Sequence, residues 1–315
     1  MSLWLVGSGE MAQGYSAVLR DLKQEHTVIG RGAQSAADFE RVTGVSVIVG
    51  GLVRALQSAP PPASAIIAVG VESLFETAES LIRAGARRVL LEKPGGLDAK
   101  EIVELDKLAQ VFGCRVYLGY NRRFYESVRR AQEIIVEDGG LLSAHFEFSE
   151  WGHKIAALDK DPRVLQRWLL ANSSHVVDLA FYLCGFPTDY RFWRSGALDW
   201  HPTGARFVGA GVTDRNIPFG FVSDWEAPGR WGIDLMTKHH RIILRPLERL
   251  SLMQRGTVVV TEVPLEATLD ERFKPGLWRQ TEAFLSGRDE GLCALDEQAR
   301  NVAVYSEMAG YPCGT

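Results

Sequence analysis

Leu3-Trp4-Leu5-Val6-Gly7-Ser8-Gly9-Glu10-Met11-Ala12 is an apolar run that ends in a glycine turn and opens into a helix-forming stretch. A strand, then Gly-x-Gly-x-x-Ala at the start of a helix, is the context that a dinucleotide-binding turn requires. In that reading Gly7 permits the tight turn, Gly9 lets a pyrophosphate approach the backbone, and Ala12 keeps helix and strand close. The N–H groups of Ser8, Glu10 and Met11 at the helix start would face phosphate. A tight βα connection that binds nothing can look the same, so the motif takes its weight from the downstream pattern.

Downstream, short β-rich runs alternate with longer amphipathic ones, the pattern of βαβ units and a parallel sheet. Strands are expected over 3–6, 27–29, 45–49, 65–69, 89–92 and 115–118, and helices over 74–84 and 98–112, where apolar residues recur every three or four positions. Pro60-Pro61-Pro62 marks a loop. Beyond Tyr120 the pattern changes. Helices are expected over 126–137 and 173–183, the second closing at Gly185. Strands are expected at 142–150, 205–212, 219–225, 231–237, 241–244 and 257–263, and strands in succession without helices between them imply an antiparallel or mixed sheet. Two helices, 277–286 and 295–308, close the chain. Two domains are therefore expected, 1–120 and 121–315, the last helix being free to pack back on the first.

Composition narrows the class. The chain has 315 residues, 46% apolar and 23% charged, with no apolar run long enough to span a bilayer, and it opens directly into a strand with no basic leader. A cytoplasmic location is the default, with no membrane partner. A net charge of −4 without a clustered basic stripe argues against nucleic acid. Cys114, Cys184, Cys293 and Cys313 are scattered, which gives neither a disulfide framework nor a metal spacing, so reduced thiols and no metal are expected. Seven of the eight tryptophans follow Tyr120, which fits core packing and also an oligomer interface.

Three places could carry chemistry. The run Val89-Leu90-Leu91-Glu92-Lys93-Pro94-Gly95-Gly96 ends a strand on Glu-Lys-Pro, so Lys93 would emerge at the sheet edge where a cofactor lies. At the end of the second strand, where NAD enzymes usually place an acid on the ribose, the sequence reads Val28-Ile29-Gly30-Arg31-Gly32. Losing that carboxylate relieves repulsion against a 2′-phosphate that Arg31 could pair with, Ser35 adding a weaker contact, so NADP is favoured with NAD possible. Arg31 could equally be a surface arginine. In Asn172-Ser173-Ser174-His175-Val176-Val177-Asp178, His175 and Asp178 share a helical face, so the carboxylate could orient an imidazole that exchanges protons near neutral pH; a buried structural histidine reads the same way.

Taken together, the glycine turn, Glu92-Lys93-Pro94, the segment Leu118-Gly119-Tyr120-Asn121-Arg122-Arg123-Phe124 and His175-Val176-Val177-Asp178-Leu179 resemble the Gfo/Idh/MocA oxidoreductases, the family of glucose-fructose oxidoreductase and inositol dehydrogenase. The resemblance covers most of the chain and is vague beyond about residue 190. It implies an α/β fold: an N-terminal Rossmann domain with a doubly wound parallel sheet, then an α/β domain with a large, mostly antiparallel open sheet that often forms subunit interfaces. It further implies hydride transfer between a nicotinamide and a carbohydrate-like substrate. Lys93 matches the family's active-site lysine, His175 its proton donor or acceptor, and Pro94 a proline often preceded by a cis peptide bond. Val69, Gly70, Glu92 and Asn121 fall at positions expected to contact cofactor.

Two departures stand out. The family's Thr-Pro and histidine after the fourth strand are Val69-Gly70 and Leu74 here, and the acid four positions before the catalytic histidine is Ala171. Asn172 or Ser173 could then serve the substrate, joined by Asp178, Tyr120, Arg122 and Trp168, with Trp151, His153, Lys154, Arg167 and Tyr182 nearby in sequence. The leading expectation is an NADP-preferring oxidoreductase of a sugar or sugar derivative, possibly nucleotide-linked, working as a homodimer or homotetramer. The alternatives are an imine or non-sugar ketone reductase of the same family, and a dinucleotide-binding sensor without turnover.

Overall fold

The structure, a computed structural model, describes residues 2–312; Cys313 lies outside them. The chain divides into two compact units, Met1–Tyr120 with Leu269–Arg300, and Asn121–Thr268 with Asn301–Thr315.

In the first unit six parallel strands, β1 (Leu3–Val6), β2 (Thr27–Gly30), β3 (Val47–Val49), β4 (Ser64–Ile67), β5 (Arg88–Leu91) and β6 (Arg115–Leu118), lie in the order 3-2-1-4-5-6. That is the doubly wound dinucleotide-binding order. β1 and β5 are buried along their whole length, as strands covered on both faces must be, which is why they read as unbroken apolar runs. Helices begin and end on local signals. Asp98 caps Ala99–Phe112 by accepting from Glu101 N, and Gly113, at φ 64°, closes it in the left-handed region.

Residues 269–300 group with this unit, a division that differs from the expected boundary at 120. Helix Leu277–Ser286 sets Leu277 against Gly14, whose missing side chain leaves 3.2 Å between an ideal Cβ and Leu277 Cδ2. Trp278 Nε1 donates to Asp21 at 2.8 Å. Arg88 reaches Asp289 at 2.6 Å and the Phe284 carbonyl at 2.9 Å, and Tyr117 donates to Asp289 at 2.7 Å. Cys293–Ala294 then adds an antiparallel edge strand to β6.

The second unit holds an eight-stranded sheet of β7 (Leu141–Glu147), β8 (Pro187–Ser195), β9 (Arg206–Thr213), β10 (Pro218–Asp224), β11 (Gly232–Thr237), β12 (His240–Leu244), β13 (Ser251–Gln254) and β14 (Val260–Glu262), in the order 14-13-12-11-7-10-9-8. Every pairing is antiparallel except β7 with β10. The expected large, mostly antiparallel sheet is present; β8 and β13 escape a reading by pattern because polar residues interrupt their alternation. One face packs on helix Ser174–Cys184, whose Phe181 meets Phe146 edge-on at 5.7 Å and Phe219 at 5.2 Å. That helix is buried nearly all round, which holds His175 in a fixed setting. The opposite face leaves Trp193, Val208 and Val222 exposed, side by side across β8, β9 and β10. Cys114, Cys184 and Cys293 are buried free thiols, and burial pushes Cys184 up to about 12. No helix among the described residues is long and apolar enough to cross a membrane.

Candidate active site

The turn after β1 is built as its sequence requires. Gly7 sits at φ 125°, and a Cβ there would lie 2.2 Å from the Ala68 carbonyl oxygen. Gly9 caps helix Glu10–Asp21, and a Cβ there would meet nothing within 4 Å, so its backbone faces open space that a phosphate can enter. Ala12 is fully buried. Around this turn lies a groove of about 370 Å³ lined by Gly7, Ser8, Gly9, Arg31, Ser35, Val69 and Gly70, together with Gly51, Leu52, Glu72, Ser73 and Thr77. Ser8 Oγ donates to Ser35 Oγ at 3.0 Å, tying the turn to the segment after β2. Glu10 and Met11 start the helix but do not line the groove.

An acidic side chain has no room at position 30. A Cβ on Gly30 would lie 2.7 Å from Val47 Cγ1, part of a stiff β-branched side chain. Arg31, exposed, is the cation the groove offers in its place. Glu72 is a lining residue that sequence reasoning misses, because an acid in a helical first turn is ordinary.

Parallel register carries the argument to Lys93. Ala68 N donates to Val6 O at 2.8 Å and Glu92 N to Ile67 O at 2.9 Å, so Gly7, Ala68 and Glu92 stand side by side where β1, β4 and β5 end. With strands about 4.8 Å apart, Lys93 leaves the sheet about 10 Å from the glycine turn. The Lys93–Pro94 bond is cis. Lys93 is half-buried, and Gln298 donates to the Pro94 carbonyl and to the Tyr120 hydroxyl, both at 3.0 Å. Glu92 is buried and accepts from Tyr15 Oη at 2.8 Å; burial raises it, while the Lys93 ammonium and the Tyr15 hydroxyl pull it back. A Cβ on Gly119 would lie 2.9 Å from Glu92 Oε1, so that glycine makes space for the carboxyl.

In the second unit a π-helical turn, Leu169–Ser173, leads into the helix bearing His175. Such turns concentrate at functional sites. His175 is buried, its ring centroid 6.3 Å from that of Trp231. Arg122 lies over the same indole at 4.9 Å. Asn172 Nδ2 and Ser173 Oγ donate to Glu150 Oε1 at 2.9 and 2.8 Å. Burial pushes Glu150 up, and Ser173, Asn172, Trp168 and Trp231 pull it back.

Several expected substrate residues take other work. Asp178 is 1% exposed, and Arg123 takes both its oxygens, Nε at 2.8 Å and Nη2 at 2.6 Å, so it anchors the helix inside the core and does not present itself to a substrate. Ser173 is fully buried and spends its hydroxyl on Glu150. Tyr120 is 1% exposed and bonded to Gln298. Arg167 stacks on Tyr311 at 4.9 Å, Tyr182 lies under Arg123 at 4.6 Å, and His153 and Lys154 are on an exposed turn beside Trp151. Asn121 is buried in the turn that opens the second unit. Gathered around Trp231 are His175, Arg122, Asn172 and Trp168, joined by Glu150, which the sequence shows only as the end of a strand run.

Residues 1–120 match the oxidoreductase family with an NAD-binding Rossmann fold, Gfo/Idh/MocA, and this part of the chain belongs to that family. Over 98% of the chain the fold is that of UDP-N-acetylglucosamine 3-dehydrogenase GnnA from Acidithiobacillus ferrooxidans (17% identity, 97% of that chain, TM-score 0.75). It is also that of an NAD-binding oxidoreductase from Klebsiella pneumoniae (13%, 96%, 0.77) and of levoglucosan dehydrogenase complexed with NADH and L-sorbose (15%, 96%, 0.77). No curated protein matches the sequence.

Proposed function

We propose that this protein is an NAD(P)-dependent oxidoreductase that interconverts a carbonyl and a hydroxyl of a sugar or sugar derivative, with NADP preferred. The observation that carries the reading is the juxtaposition in one sheet of a dinucleotide turn open at Gly9 and a half-buried lysine leaving β5 beside it. A bound nicotinamide would supply or take up the hydride. In the reducing direction the Lys93 ammonium hydrogen-bonds the carbonyl oxygen and the His175 ring donates the proton that makes it a hydroxyl. Two of the similar structures are named for sugars, one of them nucleotide-linked, which supports a carbohydrate substrate. The exposed row of Trp193, Val208 and Val222 supports a homo-oligomer.

The test is a screen of free and nucleotide-linked hexoses with NAD and NADP, following reduced nicotinamide by absorbance. Cofactor choice is tested separately. Arg31→Ala should weaken NADP by about 10- to 100-fold, the worth of one charge-assisted contact, and change NAD by less than about twofold. Equal binding of both dinucleotides by the unaltered protein would refute the NADP preference.

A further inference from the structure

Glu150 is a desolvated carboxyl in a setting that does not complete itself. Its Oε1 is held by Asn172 and Ser173. The indole N–H groups of Trp168 and Trp231 bear on the same carboxyl. Both are buried, yet neither makes a hydrogen bond, being too far or too bent to close on it. Buried donors are nearly always satisfied, and a carboxylate has acceptor sites to spare. A hydroxyl resolves both shortfalls at once, because it accepts from an indole N–H while donating to a carboxylate oxygen. A ligand carboxylate would be repelled by Glu150, and an ammonium would clash with the indole donors. The missing partner is therefore a neutral alcohol. Trp231 fixes where on the ligand it sits, since the same indole borders His175 and carries Arg122 on its face.

We propose that Glu150 is a substrate-binding residue that takes a hydroxyl of a neutral polyol next to the carbon whose oxygen exchanges a proton with His175, with Trp168 and Trp231 donating to that hydroxyl. This rests on the oxidoreductase reading and narrows it to polyhydroxylated substrates without an acid at that position.

The groups facing Glu150 are Asn172, Ser173, Trp168 and Trp231, none of which titrates near neutrality, and its shift is upward. A carboxyl raised on folding contributes stability that is fully present below its unfolded pKa and lost as pH rises through the folded one. Glu150→Gln should therefore gain melting temperature relative to the unaltered protein as pH rises from about 5 to 8, which shows the variant to be folded.

The deciding experiment measures binding of D-glucose, myo-inositol and D-gluconate by saturation-transfer NMR with NADP present, in the unaltered protein, Glu150→Gln and Trp168→Phe. The expected result is preference for a neutral polyol over D-gluconate, weakened about tenfold or more by Glu150→Gln, with NADP affinity changed by less than about twofold. Unchanged polyol affinity in Glu150→Gln overturns the proposal, because a purely structural carboxyl would change melting alone. So does an unaltered protein that binds NADP but none of the neutral polyols, which leaves the dinucleotide reading standing. Failure to bind NADP and NAD would sink that reading instead.

Discussion

Lys93→Met should lower kcat by about 10²- to 10³-fold, the cost of removing one preorganised donor to a developing oxyanion, and leave dinucleotide affinity within about twofold. The split follows from its position. Lys93 leaves β5 beside the groove and is not among its lining residues, so it can act on a substrate oxygen without holding the cofactor. His175→Ala should cost about 10²- to 10⁴-fold, the range for a proton donor, and should flatten the pH dependence of the reducing direction. Both are read as steady-state rates with the best sugar from the screen, alongside cofactor titrations by fluorescence. Full turnover in either variant would remove that residue from the mechanism, and full turnover in both would leave the sheet-edge site without its chemistry.

The largest effect on stability should come from Arg123→Ala, about 3–5 kcal/mol in urea unfolding, because it strands Asp178 as a lone buried charge. The pair is 2% and 1% exposed, bidentate, and stacked on Tyr182. Arg123→Met with Asp178→Leu should recover much of the loss, since an apolar pair of similar volume carries no desolvation cost. An Arg123→Ala midpoint equal to that of the unaltered protein would show that the pair is not holding the helix. Asp178→Asn separates anchoring from proton transfer: loss of stability with an unshifted pH–rate profile supports the anchor, whereas a shifted profile on an equally stable protein would return Asp178 to His175.

The parallel sheet can be read from the chain because its signals are local. Val6-Gly7 and Leu91-Glu92 are apolar runs that stop at a turn, and Asp98 and Gly113 bracket their helix within a few residues of the groups they satisfy. Lys93, Arg31 and the glycine turn are equally visible, since in a doubly wound sheet everything at the end of a parallel strand lies on one edge. The Asp178 reading fails for the opposite reason. Helical spacing brings His175 and Asp178 onto one face, but a guanidinium 55 residues away by sequence supplies two hydrogen bonds that spacing cannot reveal.

Residue order alone settled the class of fold, the cofactor turn and the strand-ending lysine, because backbone geometry and hydrophobic periodicity act over a few residues. Folding in three dimensions settled which groups stand together where no local rule applies. It brought 269–300 back onto the first sheet through Asp289, 201 residues from Arg88. It also set Glu150 against Asn172 and Ser173, so that a carboxyl absent from position 171 is present in the same neighbourhood from the segment after β7. A buried charge is defined by what desolvates and satisfies it, and those partners are chosen by packing, not by proximity in the chain.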